Sequence, residues 1–98
     1  MEITDVRISL MDDSKLRAFA SITIDDCFVV RGLKIIKTPR TVFVAMPSRR
    51  LQNGSFQDIA HPINRETRQK LESVVLQAYD DARRAEGPGI SQVTTAGN

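Results

Sequence analysis

One cysteine, one histidine and no tryptophan occur in the 98 residues of this chain. With Cys27 alone, an intramolecular disulfide is excluded, which fits a reducing compartment. Cys27 and His61 are too few to build a Cys/His zinc centre, and no glycine-rich phosphate loop is present. Four Phe and one Tyr leave little material for an extensive base-stacking platform. The longest apolar run, Val42 to Met46, is far too short to span a bilayer. The chain starts Met1-Glu2-Ile3-Thr4-Asp5, with acids where a signal peptide carries basic residues and then an apolar run. The expectation is a cytoplasmic protein with no cofactor, no metal, no membrane contact and no small-molecule substrate.

Acidic residues are missing from one stretch. Residues 31–50 hold Arg31, Lys34, Lys37, Arg40, Arg49 and Arg50 and no acid, a net of +6. Residues 1–30 have a net of −3 and residues 51–98 a net of −1, so the overall +2 hides the block. Six uncompensated cations concentrate positive potential and attract polyanions. A solvated basic surface that serves solubility is the alternative reading.

What is present reads as strands followed by one helix, in a single domain over residues 1–86. Val6, Ile8 and Leu10 alternate with Asp5, Arg7 and Ser9, the period of a half-buried strand. Leu16, Ala18, Ala20, Ile22 and Ile24 repeat that period, and Met11-Asp12-Asp13-Ser14 supplies the turn between them. A third run, Cys27 to Lys37, is interrupted by Gly32, which marks a bulge or bend. Thr38-Pro39-Arg40 turns the chain into a fourth strand, Val42 to Met46.

Asn53-Gly54 is the favoured pair for a type I′ turn, both positions of which need positive φ. Counting outward pairs Leu51 with Phe56, Arg50 with Gln57 and Arg49 with Asp58. A helix follows, with Asn64 as its N-cap and Leu71, Val74, Val75, Ala78 and Ala82 as its apolar stripe. Gly87-Pro88-Gly89 ends it, and the small polar residues to Asn98 read as a disordered tail. The fold class is α+β: an antiparallel sheet of about five strands with one C-terminal helix.

Strands three and four are apolar on both faces, and one helix covers only one. A second copy of the chain is the simplest cover for the other, with Leu76, off the main stripe, as a candidate contact. Strong twist that lets a small sheet cover itself is the alternative.

For nucleic acid, Arg50 is the first candidate, because the counted register gives it no acidic partner. Arg49 faces Asp58 in that register, and a cross-strand ion pair is its competing role. Arg31, Lys37 and Arg40 carry the rest of the basic block. Arg65 and Arg68 stand at the helix N-terminus, where the macrodipole disfavours cations; either phosphate contact or simple exposure accounts for them. No helix-turn-helix, zinc-finger or RNA-recognition motif is present. A Cys27–His61 catalytic pair is formally conceivable, but Cys27 reads as a small core residue and His61 as a loop hydrogen-bonder, so no enzyme is expected. A protein-interaction module acting on division or transcription machinery is the competing function.

The stretch Phe43-Val44-Ala45-Met46-Pro47-Ser48-Arg49-Arg50, followed by Gly54-x-Phe56-x-Asp58-Ile59-Ala60-His61-Pro62-Ile63-Asn64, resembles the signature of the sporulation stage V protein G family. Ile3-Thr4-Asp5-Val6-Arg7 and Ala20-Ser21-Ile22-Thr23-Ile24-Asp25 resemble it too, so the likeness covers roughly residues 1–84. The resemblance implies a bacterial cytoplasmic regulator, usually dimeric, linked to septum formation and sporulation, whose members bind DNA and RNA. It carries over two basic positions, Arg49 and Arg50. The chain departs from the family at Gln57, commonly arginine. It departs again at Arg31-Gly32, commonly a histidine-acid pair, and at Lys37-Thr38-Pro39-Arg40, commonly an acidic glycine-rich turn. These departures move positive charge toward strands three and four.

Overall fold

Alternating apolar residues build the main sheet of a computed structural model that describes residues 1–86. Its strands are β1 (Ile3–Leu10), β2 (Leu16–Ile24), β3 (Phe28–Lys37) and β4 (Val42–Ala45), antiparallel in the order β1-β2-β3-β4. A separate two-stranded ribbon, β5 (Ser48–Arg50) and β6 (Phe56–Asp58), leads to helix α1 (Arg65–Glu86). The expected antiparallel α+β architecture is the one observed, with its strands divided into four and two. The expected helix stop at Gly87-Pro88-Gly89 and the tail lie outside the described residues.

The helix packs on one face of the sheet. Val6 and Ile8 of β1, Ala18, Ala20 and Ile22 of β2, and Leu33, Ile35 and Val44 meet Leu71, Val75, Ala78, Tyr79 and Ala82 in one buried cluster. Small residues on β2 let the helix lie close to the sheet, and aliphatics around them fill the core. Leu76 packs against this same cluster and is half-buried, so the chain itself accounts for much of its surface.

Turns hold the register through side-chain oxygens. Asp13 accepts the amides of Leu16 at 2.8 Å and Lys15 at 3.3 Å, closing the β1–β2 turn. The backbone amides of Leu16 and Lys15 keep the Asp13 carboxyl below its ordinary pKa. Thr38 Oγ1 does the same work between β3 and β4, accepting the Thr41 amide at 3.1 Å. Asn64 Oδ1 accepts the Thr67 amide at 2.8 Å, the N-cap that the sequence predicts.

Gly32 is the bulge residue. Between the pairs Ala20↔Leu33 and Ile22↔Val30, Ser21 of β2 faces both Arg31 and Gly32 of β3. Gly32 has φ +86°, where a β-carbon would be strained, and that β-carbon would lie 3.4 Å from Pro47 Cβ. The bulge therefore seats the start of the β5–β6 ribbon against the main sheet.

Two local expectations are corrected. Cys27 is exposed in the turn between β2 and β3, not in the core. Phe28 and Val29 beside it are exposed as well. Positive φ at two successive residues occurs in this turn, at Asp25 (50°) and Asp26 (56°), and not at Asn53. Contacts from the start of the chain hold it: Glu2 O accepts the Asp25 amide at 2.8 Å and Thr4 Oγ1 accepts the Asp26 amide at 3.0 Å. Tertiary hydrogen bonds thus stabilise a conformation that aspartate alone only tolerates.

Candidate nucleic-acid interface

The ribbon's register is one residue off the counted one. Ser48 pairs with Asp58, Arg49 with Gln57 and Arg50 with Phe56. The loop holds three residues, Gln52, Asn53 and Gly54: the Gly54 amide bonds Leu51 O at 3.0 Å and the Leu51 amide bonds Ser55 O at 2.8 Å. Only Gly54 has positive φ, at 87°, so the loop is a turn closed by a glycine bulge. Asn53 Oδ1 accepts the Ser55 amide and hydroxyl at 2.9 and 2.6 Å, which fixes the asparagine as a turn acceptor. Arg49 therefore has no Asp58 across from it, and the expected ion pair does not form. Both arginines are exposed on a ribbon whose six strand residues are all exposed.

The seven predicted cations do not form one patch. Arg31 stands exposed at the bulge, while Lys37 ends the same strand about 20 Å away at a strand's rise per residue. Lys37 and exposed Arg40 flank the β3–β4 turn, where Lys15 joins them; the Lys37 amide bonds Lys15 O at 2.8 Å. Arg17 lies at the same end, its Nε donating to Tyr79 Oη at 3.4 Å and its Nη1 to Asp13 O at 3.0 Å. Arg65 is exposed and Arg68 half-buried beside the His61–Asn64 link. His61 makes the expected loop hydrogen bond, Nδ1 to Pro62 O at 2.9 Å, and none links it to Cys27 among the described residues.

What unites these cations is the lack of anionic partners. Among the described residues the ion pairs are Arg7–Asp5, Lys70–Glu2, Arg83–Asp80, Arg84–Asp80 and Arg84–Asp81. Lys15, Arg17, Arg31, Lys34, Lys37, Arg40, Arg49, Arg50, Arg65 and Arg68 take part in none. Acids gather at the Asp25-Asp26 turn and in the last turns of α1, while Asp12-Asp13 stands beside Lys15 and Asp58 lies in the ribbon without pairing a cation. Charge separation of this kind leaves the cations available to an external anion.

The sequence reading counted Lys34 in the basic block without singling it out, passed over Lys15, and did not foresee that the aromatics would be exposed. Every Phe is exposed: Phe19 and Phe43 at 37%, Phe28 at 63% and Phe56 at 69%. Phe is ordinarily among the most buried residues, and here the core is aliphatic with Tyr79 its one aromatic. Alternation in β2 was the available signal for Phe19, since it falls between Ala18 and Ala20.

Residues 1–81, most of the chain, match the family model described as SpoVG. The chain belongs to the SpoVG family. A SpoVG relative from Anaeromyxobacter sp. (strain Fw109-5) is 51% identical over 80 residues, 82% of each chain. One from Desulforudis audaxviator is 51% identical over 87 residues, 88% of this chain and 99% of the relative. One from Anaeromyxobacter sp. (strain K) is 44% identical over 94 residues, 96% and 93% of the two chains. All three are named for septation. The SpoVG match spans the four-stranded sheet, the ribbon and most of α1, so it includes every candidate cation. No helix among the described residues is long and apolar enough to cross a membrane, and none of their acidic, His and Cys side chains gather as a metal site.

Proposed function

We propose that this chain is a cytoplasmic regulator linked to septation and sporulation-type gene regulation, that it binds DNA or RNA as a homodimer, and that it acts by binding and not by catalysis. The observation that carries the reading is the set of ten exposed or half-exposed cations with no ion pair among the described residues. Such cations displace condensed counterions from a phosphate backbone, which drives binding without reading sequence. The septation link rests on the names of the relatives.

The homodimer reading rests on the sheet's open face. There Leu16, Ile36 and Phe43 lie side by side across β2, β3 and β4 in the register, and the helix packs on the opposite face. A self-complementary apolar row is what a two-fold contact needs.

One observation favours a second reading. Phe56, Ile59 and Ile63, at 69%, 67% and 89% exposed, form an apolar string along the ribbon and link. A protein partner in the division or transcription machinery would cover such a string. Anisotropy titrations against random-sequence DNA and RNA at two salt concentrations separate the readings. Affinity that falls steeply with salt is the expected result; no binding even at low salt leaves the protein-interaction reading.

A further inference from the structure

The Leu16-Ile36-Phe43 row lies at the β4 side of the sheet's open face. Toward β1 that face carries a shallow groove of about 360 Å³ walled by Arg7, Ser9, Phe19, Ser21, Arg31 and Gly32. The register lays these side chains out in two rows. Arg7 stands across from Ser21, and Ser21 faces the Arg31-Gly32 bulge; Ser9 stands across from Phe19, and Phe19 across from Lys34. With strands about 4.8 Å apart, Arg7 and Arg31 are about 10 Å apart with a hydroxyl between them. Phe19 sits in the adjacent row with a lysine at its side.

We propose that this groove takes one nucleotide of a single strand, its base stacked on Phe19 and its phosphates held by Arg7, Arg31 and Lys34. The inference rests on the nucleic-acid reading above and narrows it to unpaired strands. Two observations and one property of the duplex carry it. Phe19 is 37% exposed on an inner strand, and the cation–π pair among the described residues lies elsewhere, Arg83 over Tyr79. An aromatic side chain partly open to solvent at the centre of a sheet is what base stacking uses, and every base has a π-face to offer. The groove's charge is complementary to a phosphodiester: Arg31 and Lys34 have no ion pair among the described residues. Arg7 Nε is held by Asp5 Oδ2 at 3.1 Å, which positions the guanidinium while its two terminal nitrogens remain without a partner among the described residues. The groove lining contains no acid, and Asp5 reaches it only through its Oδ2 contact with Arg7. Finally, duplex DNA presents its bases edge-on inside grooves, where a flat sheet face cannot stack on them. An unpaired base has no such obstacle.

Titration of a short labelled single strand of mixed sequence, alone and annealed to its complement, tests this. The wild type is expected to bind the single strand more tightly. Phe19→Leu, which keeps the apolar bulk and removes the π-face, is expected to weaken that binding about five- to a hundredfold and leave the duplex affinity unchanged. Phe19→Trp supplies a fluorophore to a chain that has no tryptophan, and its emission is expected to be quenched by the single strand. Undiminished single-strand binding by Phe19→Leu overturns the groove while the nucleic-acid reading stands. Loss of binding together with a halved mass in sedimentation also overturns it, because the face is then a contact between copies. A wild type that binds neither form at low salt removes both.

Discussion

Arg50 lies directly across the β5–β6 ribbon from Phe56, and the three-residue loop at Gln52-Asn53-Gly54 is what puts it there. A two-residue loop would have placed Gln57 opposite Arg50 and Asp58 opposite Arg49. The single-residue shift removes an ion pair and leaves both arginines exposed and free of anionic partners among the described residues.

Arg49→Ala and Arg50→Ala are therefore expected to behave alike. Each removes one phosphate contact per subunit, and affinity falls across all sequences. The slope of log affinity against log salt shrinks by about one unit per contact, or about two in a symmetric dimer. Neither change should move the urea midpoint by more than corresponds to about 0.5 kcal/mol, because no folded-state partner is abandoned. A salt slope unchanged by both would place the contact at Arg31, Lys37 and Arg40, or at Arg65 and Arg68.

Phe43→Asp tests the homodimer. The residue is 37% exposed on the open face, so the monomer fold tolerates it, whereas a charge buried between two copies does not. Sedimentation equilibrium is expected to show the dimer dissociation constant rising ten- to a hundredfold, about 1–3 kcal/mol. A wild type that sediments as a monomer at micromolar concentration rules the dimer out.

Gly32→Ala and Gly54→Ala form a matched pair. Both glycines have positive φ, 86° and 87°, but only at Gly32 would the β-carbon meet a neighbour, Pro47 Cβ at 3.4 Å. Each substitution is expected to cost about 1–2 kcal/mol of backbone strain, with the larger loss at Gly32. Thermal unfolding measures both. Equal losses would show that the Pro47 contact accommodates a methyl group.

Acid should weaken the β1–β2 turn. Asp13 accepts the Leu16 and Lys15 amides, and these lower its folded-state pKa below the ordinary 3.8. A depressed carboxylate pKa contributes stability that is complete above the unfolded value and disappears as pH falls through the folded one. Asp13→Asn retains an acceptor and loses the titration. The difference in urea midpoint between neutral pH and about pH 3 is expected to be smaller in the variant than in the wild type. An identical pH dependence would assign the acid sensitivity to other carboxylates, Asp80 beside Arg83 among them.

Alternation by itself determined the sheet. Val6, Ile8, Ala18, Ala20 and Ile22 are spaced at two, and Leu71, Val75, Ala78 and Ala82 at three and four, so each set points to one side whatever the rest of the chain does. The Asn64 cap and the turns that contain Asp13 and Thr38 were legible for the same reason: each of these side chains acts within three residues of its own position. Family membership was legible in the run from Phe43 to Asn64.

Tertiary structure alone decided the features that bear on function. Alternation puts Phe19 on the side opposite Ala18 and Ala20, but which side the helix covers, and so the exposure of Phe28, Phe43 and Phe56 as well, is not in the composition. Asn53-Gly54 admits both a two- and a three-residue loop, and β5 is too short and too exposed for its burial pattern to choose a register. The left-handed turn at Asp25-Asp26 and the exposure of Cys27 depend on Glu2 and Thr4, more than twenty residues earlier in the chain. Arg7, Phe19 and Arg31 come from three strands, and only the pairing register with its bulge at Gly32 makes them neighbours. Local sequence sets the period at which side chains face one side; which residues meet across that side is set by hydrogen-bonded pairing between distant segments.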